Sequence, residues 1–150
     1  MKIGEIAARA QTPVDTVRYY ERIGLLPAPA RTAANYRRYD TAHIARLDFI
    51  RRCRALDMSL QEIRTLLGFC DDPQRDCSDV NELLDQHIGH VQSRLAELQA
   101  LHTELRQLRR VCRSPGQAGA CRILQALRTR DAPTARVRAR AAAHPRSVHE

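Results

Sequence analysis

Three cysteines, Cys77, Cys112 and Cys121, and two histidines, His87 and His90, are the side chains of this 150-residue sequence best suited to hold a metal ion. Three thiolates without an evident fourth ligand suit a soft divalent cation, whereas structural zinc usually fills four positions. His87 and His90 stand three residues apart, which on a helix makes them neighbours on one face and a reasonable bidentate pair. Cysteine usage sets the redox context. Five is an odd number, the opening Met-Lys-Ile-Gly-Glu-Ile-Ala is too polar for a secretory signal, and no run of eighteen apolar residues occurs. Reduced thiols in a cytoplasm, with no membrane span, are therefore expected, and clustered cysteines there read as a metal or redox site before a disulfide framework. Cys53 and Cys70 fall outside the constellation and read as ordinary small residues.

The elements that must position these sulfurs can be read next. From Asp79 to about Val111 there is no proline, and Gly89 is the one glycine. Heptad position a holds Leu84, Val91, Leu98, Leu105 and Cys112; position d holds His87, Arg94, Leu101 and Leu108, with Ile88 and Leu95 beside the seam. A helix of about 33 residues runs roughly 50 Å, too long for a small head to cover, so the stripe predicts a second copy of itself and a homodimer. Cys77 and Cys112 lie at opposite ends of that helix and cannot meet within one straight chain. An antiparallel pair brings Cys77 of one subunit to Cys112 and Cys121 of the other, Cys121 returning after the loop 113–120 with its Ser114-Pro115-Gly116 and Gly119. Two equivalent sites result, and in the same register His87 faces a second His102. Cys77 just before its helix and Cys121 at the start of a last helix to about Arg128 occupy helix N-termini, which favour thiolates. Arg110, Arg113 and Arg122 can balance the excess negative charge.

Charge divides the chain into three parts. Lys2 is the sole lysine among 25 basic residues, and arginine grips phosphate bidentately, although arginine abundance alone does not separate a polyanion partner from codon bias. The net charge of +8 resolves into +5 for residues 1–70, −5 for 71–108 and +8 for 109–150. The head, 1–70, reads as short capped helices. Ile3, Ile6 and Ala7 give a first apolar stripe, and Thr12-Pro13 caps a second helix, Val14 to about Ile23, carrying Arg18, Tyr19, Tyr20 and Arg22. Two short helices about a tight turn form the helix-turn-helix pattern, whose second helix enters the major groove. Tyr36-Arg37-Arg38-Tyr39 follows as a strand of a basic hairpin, placed like a wing to grip phosphates. Asp40 caps a third helix to about Leu56, and Ser59 with Glu62 forms a capping box for a fourth, to Leu66 or Leu67.

The segments IGEIA at 3–7, TVRYYERIGLLP at 16–27, NYRRY at 35–39, RCRALDMSLQEIRTLL at 52–67 and DCSDVNELLDQHIGHV at 76–91, with Cys112 and Cys121, resemble the MerR family of transcriptional regulators, specifically its Cd(II)/Pb(II)-responsive branch. The resemblance covers residues 1 to about 128. It implies a mainly α fold: a winged helix-turn-helix DNA-binding head (1–70), then a long antiparallel coiled-coil dimerisation helix with a metal-binding loop and short helix (71–128). The basic segment 129–150 matches nothing and is expected to be disordered. The implied activity is that of a homodimer on double-stranded promoter DNA, repressing without metal. With Cd(II) or Pb(II) it would distort the promoter so that RNA polymerase engages, activating a heavy-metal resistance (efflux) operon. Thr16, Arg18, Tyr19 and Tyr20, with Arg37 and Tyr39 on the wing, are the expected DNA contacts. Cadmium-type relatives add a second site from histidines matching His87 and His90, to which His144 and His149 would contribute.

Alternatives divide by ligand and by class. An Hg(II)- or Zn(II)-responsive regulator of the same family shares the sulfur set. An iron–sulfur redox sensor would need four clustered cysteines, and a drug sensor a further domain that about 38 residues cannot build. A metal-buffering thiol protein with incidental DNA affinity is the rival from another class. No cysteine has a catalytic partner, so an enzyme is not expected.

Overall fold

The computed structural model describes residues 1–112 and 115–129. Helices α1 (Ile3–Arg9) and α2 (Val14–Arg22) are followed by the two-stranded hairpin β1 (Ala30–Arg31) and β2 (Arg37–Arg38). Then come α3 (Thr41–Ala55), α4 (Leu60–Asp71), the 34-residue α5 (Ser78–Val111) and α6 (Arg122–Arg128). The described residues are thus mainly helical with one small antiparallel sheet, pairing Ala30 with Arg38 and Arg31 with Arg37. The chain forms two compact units, Met1–Asn81 and the part from Glu82 onward.

Local chemistry explains most boundaries. Asp40 Oδ1 accepts the His43 N–H at 3.1 Å, and Ser59 Oγ accepts the Glu62 N–H while Glu62 Oε1 accepts the Ser59 N–H, the reciprocal box expected there. Thr12 does not cap α2. Pro13 holds the N-cap position without a side-chain bond, and the Thr12 hydroxyl instead donates to the Ala10 carbonyl at 3.0 Å. Helix α4 continues one turn past Leu67 to Asp71. The wing strands are shorter than expected, because the turn Thr32–Asn35 takes up the centre of the hairpin: the Asn35 N–H bonds to Thr32 O, and Asn35 adopts φ 63°. Asn tolerates that left-handed conformation better than most residues.

The first unit is built around Ile6, Val17, Leu25, Leu26, Leu47, Ile50 and Ile63, all almost fully buried, with Tyr39 among them. In the second unit, α5 leaves Leu84, Ile88, Val91, Leu95, Leu98 and Leu105 exposed at alternating steps of four and three, closing with one of seven. The exposed stripe therefore joins heptad position a to Ile88 and Leu95, while His87, Arg94, Leu101 and Leu108 are buried or half-buried. Positions three and four residues from a heptad leucine lie on opposite flanks of it, and both flanks of this helix hold leucines. Which flank the chain covers is a tertiary outcome. No helix among the described residues is long and apolar enough to cross a membrane.

Candidate nucleic-acid interface and metal ligands

Helices α1 and α2 and the β1–β2 hairpin enclose an open cleft of about 910 Å³. Its lining includes five cations, Lys2, Arg18, Arg31, Arg37 and Arg38, against the single acid Glu5. Arg31 and Arg37 stand directly opposite each other across the hairpin. Like charges in that relation repel, so a hairpin that keeps them is suited to a polyanion between them. Arg31 Nη1 donates to Asn35 Oδ1 at 2.9 Å, fixing the guanidinium along the turn. Arg18 is exposed on α2 and lies 3.8 Å from Asp15, while Arg37 Nε lies 3.8 Å from Glu21. Tyr19 is half-buried, with the Arg22 guanidinium 5.2 Å from its ring centroid, and Thr16 is half-buried one turn earlier.

Tyr20 and Tyr39 are placed differently from expectation. Their side chains are 7% and 2% exposed and belong to the core. The Tyr39 hydroxyl donates to Glu21 Oε1 at 2.5 Å, and burial, then this hydrogen bond, push its ionisation far above the ordinary tyrosine range. Burial also raises Tyr20. Both support the cationic cleft from behind: Tyr39 fixes Glu21 and so Arg37, and the Tyr20 carbonyl accepts the N–H groups of Leu25 and Leu26. Lys2, Arg31 and Arg38 join the expected cations in the cleft. Arg38 was visible in the Tyr36–Tyr39 strand; Arg31 has no local signal, since only strand pairing brings it opposite Arg37.

The three cysteines expected to hold metal occupy helix ends. Cys77 is exposed and begins α5, its carbonyl accepting the Val80 N–H at 3.0 Å, while Asp76 Oδ1 accepts the Ser78 N–H at 2.9 Å. Cys112 follows the last turn of α5 and is half-buried, with Arg109 Nη1 donating to its carbonyl. Cys121 is half-buried at the N-cap of α6, after the single 3-10 turn Ala118–Ala120. None of the five cysteines forms a disulfide. Three uncrosslinked thiols on helix-end backbone fit the donor set of a thiophilic cation. Among the described residues no three His, Cys, Asp or Glu side chains of one chain gather into a metal-sized group. His87 is 8% exposed and His90 is exposed on the same helix. Arg113, His144 and His149 lie outside the described residues.

A short helix pair, a cationic wing and a long helix with an open apolar seam define the class of winged helix-turn-helix DNA-binding proteins. The family model for the MerR HTH family regulatory protein matches residues 1–69, and the MerR DNA-binding model matches 44–108. A transcriptional regulator of Haemophilus influenzae, named as a ZntR homolog, is 44% identical over 109 residues, 73% of this chain and 81% of that one. ZntR of Escherichia coli K12 is 35% identical over 84% of this chain and 91% of its own. Among solved structures, the regulator PbrR691 from Ralstonia metallidurans CH34, in complex with lead(II), is 51% identical, covering 85% of this chain and 98% of its own with a TM-score of 0.77. MerR from Bacillus megaterium MB1, in complex with mercury(II), is 29% identical, with 86% and 100% covered and a TM-score of 0.67. The chain belongs to the MerR family of DNA-binding transcriptional regulators.

Proposed function

We propose that this protein is a cytoplasmic soft-metal sensor: a homodimer that sits on promoter DNA and activates a heavy-metal resistance (efflux) operon when it captures Cd(II) or Pb(II). The observation that carries this reading is the sulfur set. Cys77, Cys112 and Cys121 stand at the two ends of α5 and the start of α6, in a chain 51% identical to a regulator solved with lead(II). The open seam of α5 wants an apolar partner, and an antiparallel copy of the same helix brings Cys77 of one subunit to Cys112 and Cys121 of the other.

Three thiolates supply a soft, anionic pocket in which a large divalent cation is held without a fourth protein ligand. Cys77 then fixes the N-terminus of α5, while Cys112 and Cys121 fix the loop between α5 and α6. Thr16, Arg18, Tyr19 and Arg37 hold the DNA, with Tyr20 and Tyr39 supporting them from the core. Ordering the loop rotates the two heads relative to each other, and the bound promoter is distorted so that RNA polymerase engages it. His87 and His90 form at most a second, weaker site. Hg(II) is the second reading, favoured by the likeness to the mercury(II)-bound MerR.

The test is Cys112→Ser in a promoter-reporter strain dosed with Cd(II), Pb(II), Hg(II) and Zn(II). Loss of a direct ligand should exceed the roughly 10–100-fold affinity loss of outer-shell changes, so induction by Pb(II) and Cd(II) should vanish while metal-free DNA binding persists. Induction surviving intact would sink the sulfur site. Absence of promoter binding at physiological salt would favour a metal-buffering thiol protein instead.

A further inference from the structure

We infer that the Arg46–Asp71 pair is the mechanical link between the metal-ligand segment and the recognition helix, a positioning pair rather than a ligand or DNA contact; this rests on the function proposed above. Arg46 of α3 is 81% covered and directs three donors at two other elements. Its Nη1 and Nη2 bind the two Asp71 carboxylate oxygens at 2.7 and 3.1 Å, and its Nε donates to the Leu25 carbonyl at 2.9 Å. Asp71 is the last residue of α4, and Leu25 lies in the corner just after α2.

Both ends of this link continue through bonded groups inside the first unit. On the recognition side, the N–H groups of Leu25 and Leu26 bond to the Tyr20 carbonyl within α2. A second arginine reinforces the same corner: Arg64 of α4 donates through Nη2 to the Ile23 carbonyl. On the sensor side, residues 72–77 fold back on α4. The Arg75 N–H bonds to Asp72 O, and the Arg75 guanidinium lies 4.1 Å over the Phe69 ring, leaving Cys77 to open α5 directly after this turn. A displacement of Cys77 is thus passed to the end of α4, from Asp71 to Arg46, and from Arg46 to the corner that sets the pitch of α2.

The chemistry of the pair fits that task. A guanidinium can fork onto a carboxylate while its third nitrogen reaches a carbonyl; an ammonium cannot hold all three directions in one plane. The bidentate geometry constrains orientation as well as distance, which a link that transmits rotation requires. The Asp71 carboxylate is 57% exposed, so what the pair supplies is fixed orientation more than Coulomb strength.

The experiment uses the full-length protein, lead(II) ions and the promoter fragment, with Asp71→Asn as the main variant. Asp71→Glu is the conservative one, and wild type and Cys112→Ser are controls. The expected result is lead-induced transcription reduced about fivefold or more in Asp71→Asn, at the scale of ordinary allosteric coupling. Lead(II) affinity and metal-free DNA affinity should stay near wild type, melting temperature should fall no further than the loss of one exposed ion pair allows, and Asp71→Glu should recover most of the induction. Undiminished induction in Asp71→Asn would overturn the link, and so would a loss of induction that comes with loss of the fold, of DNA affinity or of lead(II) affinity. If wild type gives no lead response, or Cys112→Ser keeps a full one, the sensor reading fails and takes the link with it. If both controls behave and Asp71→Asn still responds fully, the link alone is wrong.

Discussion

Surroundings separate the five cysteines more than residue type does. Cys53 is buried in α3, and burial pushes its thiol up, whereas Cys70 and Cys77 are exposed and Cys112 and Cys121 half-buried. A thiol kept protonated and covered reacts slowly with alkylating reagents. In a maleimide time course Cys70 and Cys77 should label first and Cys53 last. Added lead(II) should protect Cys77, Cys112 and Cys121 and leave Cys70 reactive; protection of Cys70 would show that the ligand set is wrongly drawn. The sequence marked these three sulfurs because helix length and heptad phase admit few other meetings. It could not distinguish Tyr20 and Tyr39 from interface residues, since an aromatic beside arginines reads the same whether its ring faces DNA or core.

At the level of elements the caps of α3 and α4 were legible because their chemistry is local, whereas the expected Thr12 cap of α2 gives way to a bond back to Ala10. Asp40, Ser59 and Glu62 close their helices through bonds spanning three residues, and no tertiary contact is needed to foresee them. The hairpin was half legible: Tyr36–Tyr39 announced one strand, while its partner Ala30–Arg31 has neither length nor alternation to reveal it. On α5 the exposed stripe keeps heptad position a, Leu84, Val91, Leu98 and Leu105, and adds Ile88 and Leu95 where position d was expected. Its residues offer a direct test. Val91 and Leu95 are 40% and 62% exposed, and each aliphatic side chain buried in a partner helix contributes about 1.5–3 kcal/mol. The double change Val91→Glu, Leu95→Glu should therefore give monomers in analytical ultracentrifugation at micromolar concentration, with promoter binding lost. A persisting dimer would place the interface elsewhere.

For the molecule as a whole, stability in acid should follow two aspartates of the head. The Arg46 guanidinium holds the Asp71 carboxyl below the usual range, and hydrogen bonds from His43 do the same for Asp40. A carboxyl depressed in the folded state contributes stability that is present above its unfolded value, about 3.9, and is lost as pH falls through the lower folded value. Urea midpoints should thus hold from neutral pH down to about pH 4 and then fall. Asp71→Asn should flatten part of that fall by modestly lowering the neutral midpoint, because the variant lacks the carboxylate's contribution at every pH. A fall as steep in the variant as in wild type would remove Asp71 from the acid response.

By itself the sequence determined the helical class, the caps of α3 and α4, the long apolar repeat and the family, and it singled out three sulfurs as candidate ligands. These rest on periodicity, on bonds between near neighbours and on motif spacing, all of which survive in one dimension. The tertiary structure decided what depends on residues far apart in the chain meeting. It buried Tyr20 and Tyr39, set Arg31 against Arg37 across the wing, and covered one flank of α5 while opening the other. It also joined Arg46 to Asp71 and Leu25, 25 and 21 residues away. No local pattern encodes a guanidinium's choice among many carboxylates and carbonyls; packing makes it, by leaving one fork within reach and solvent excluded from its stem.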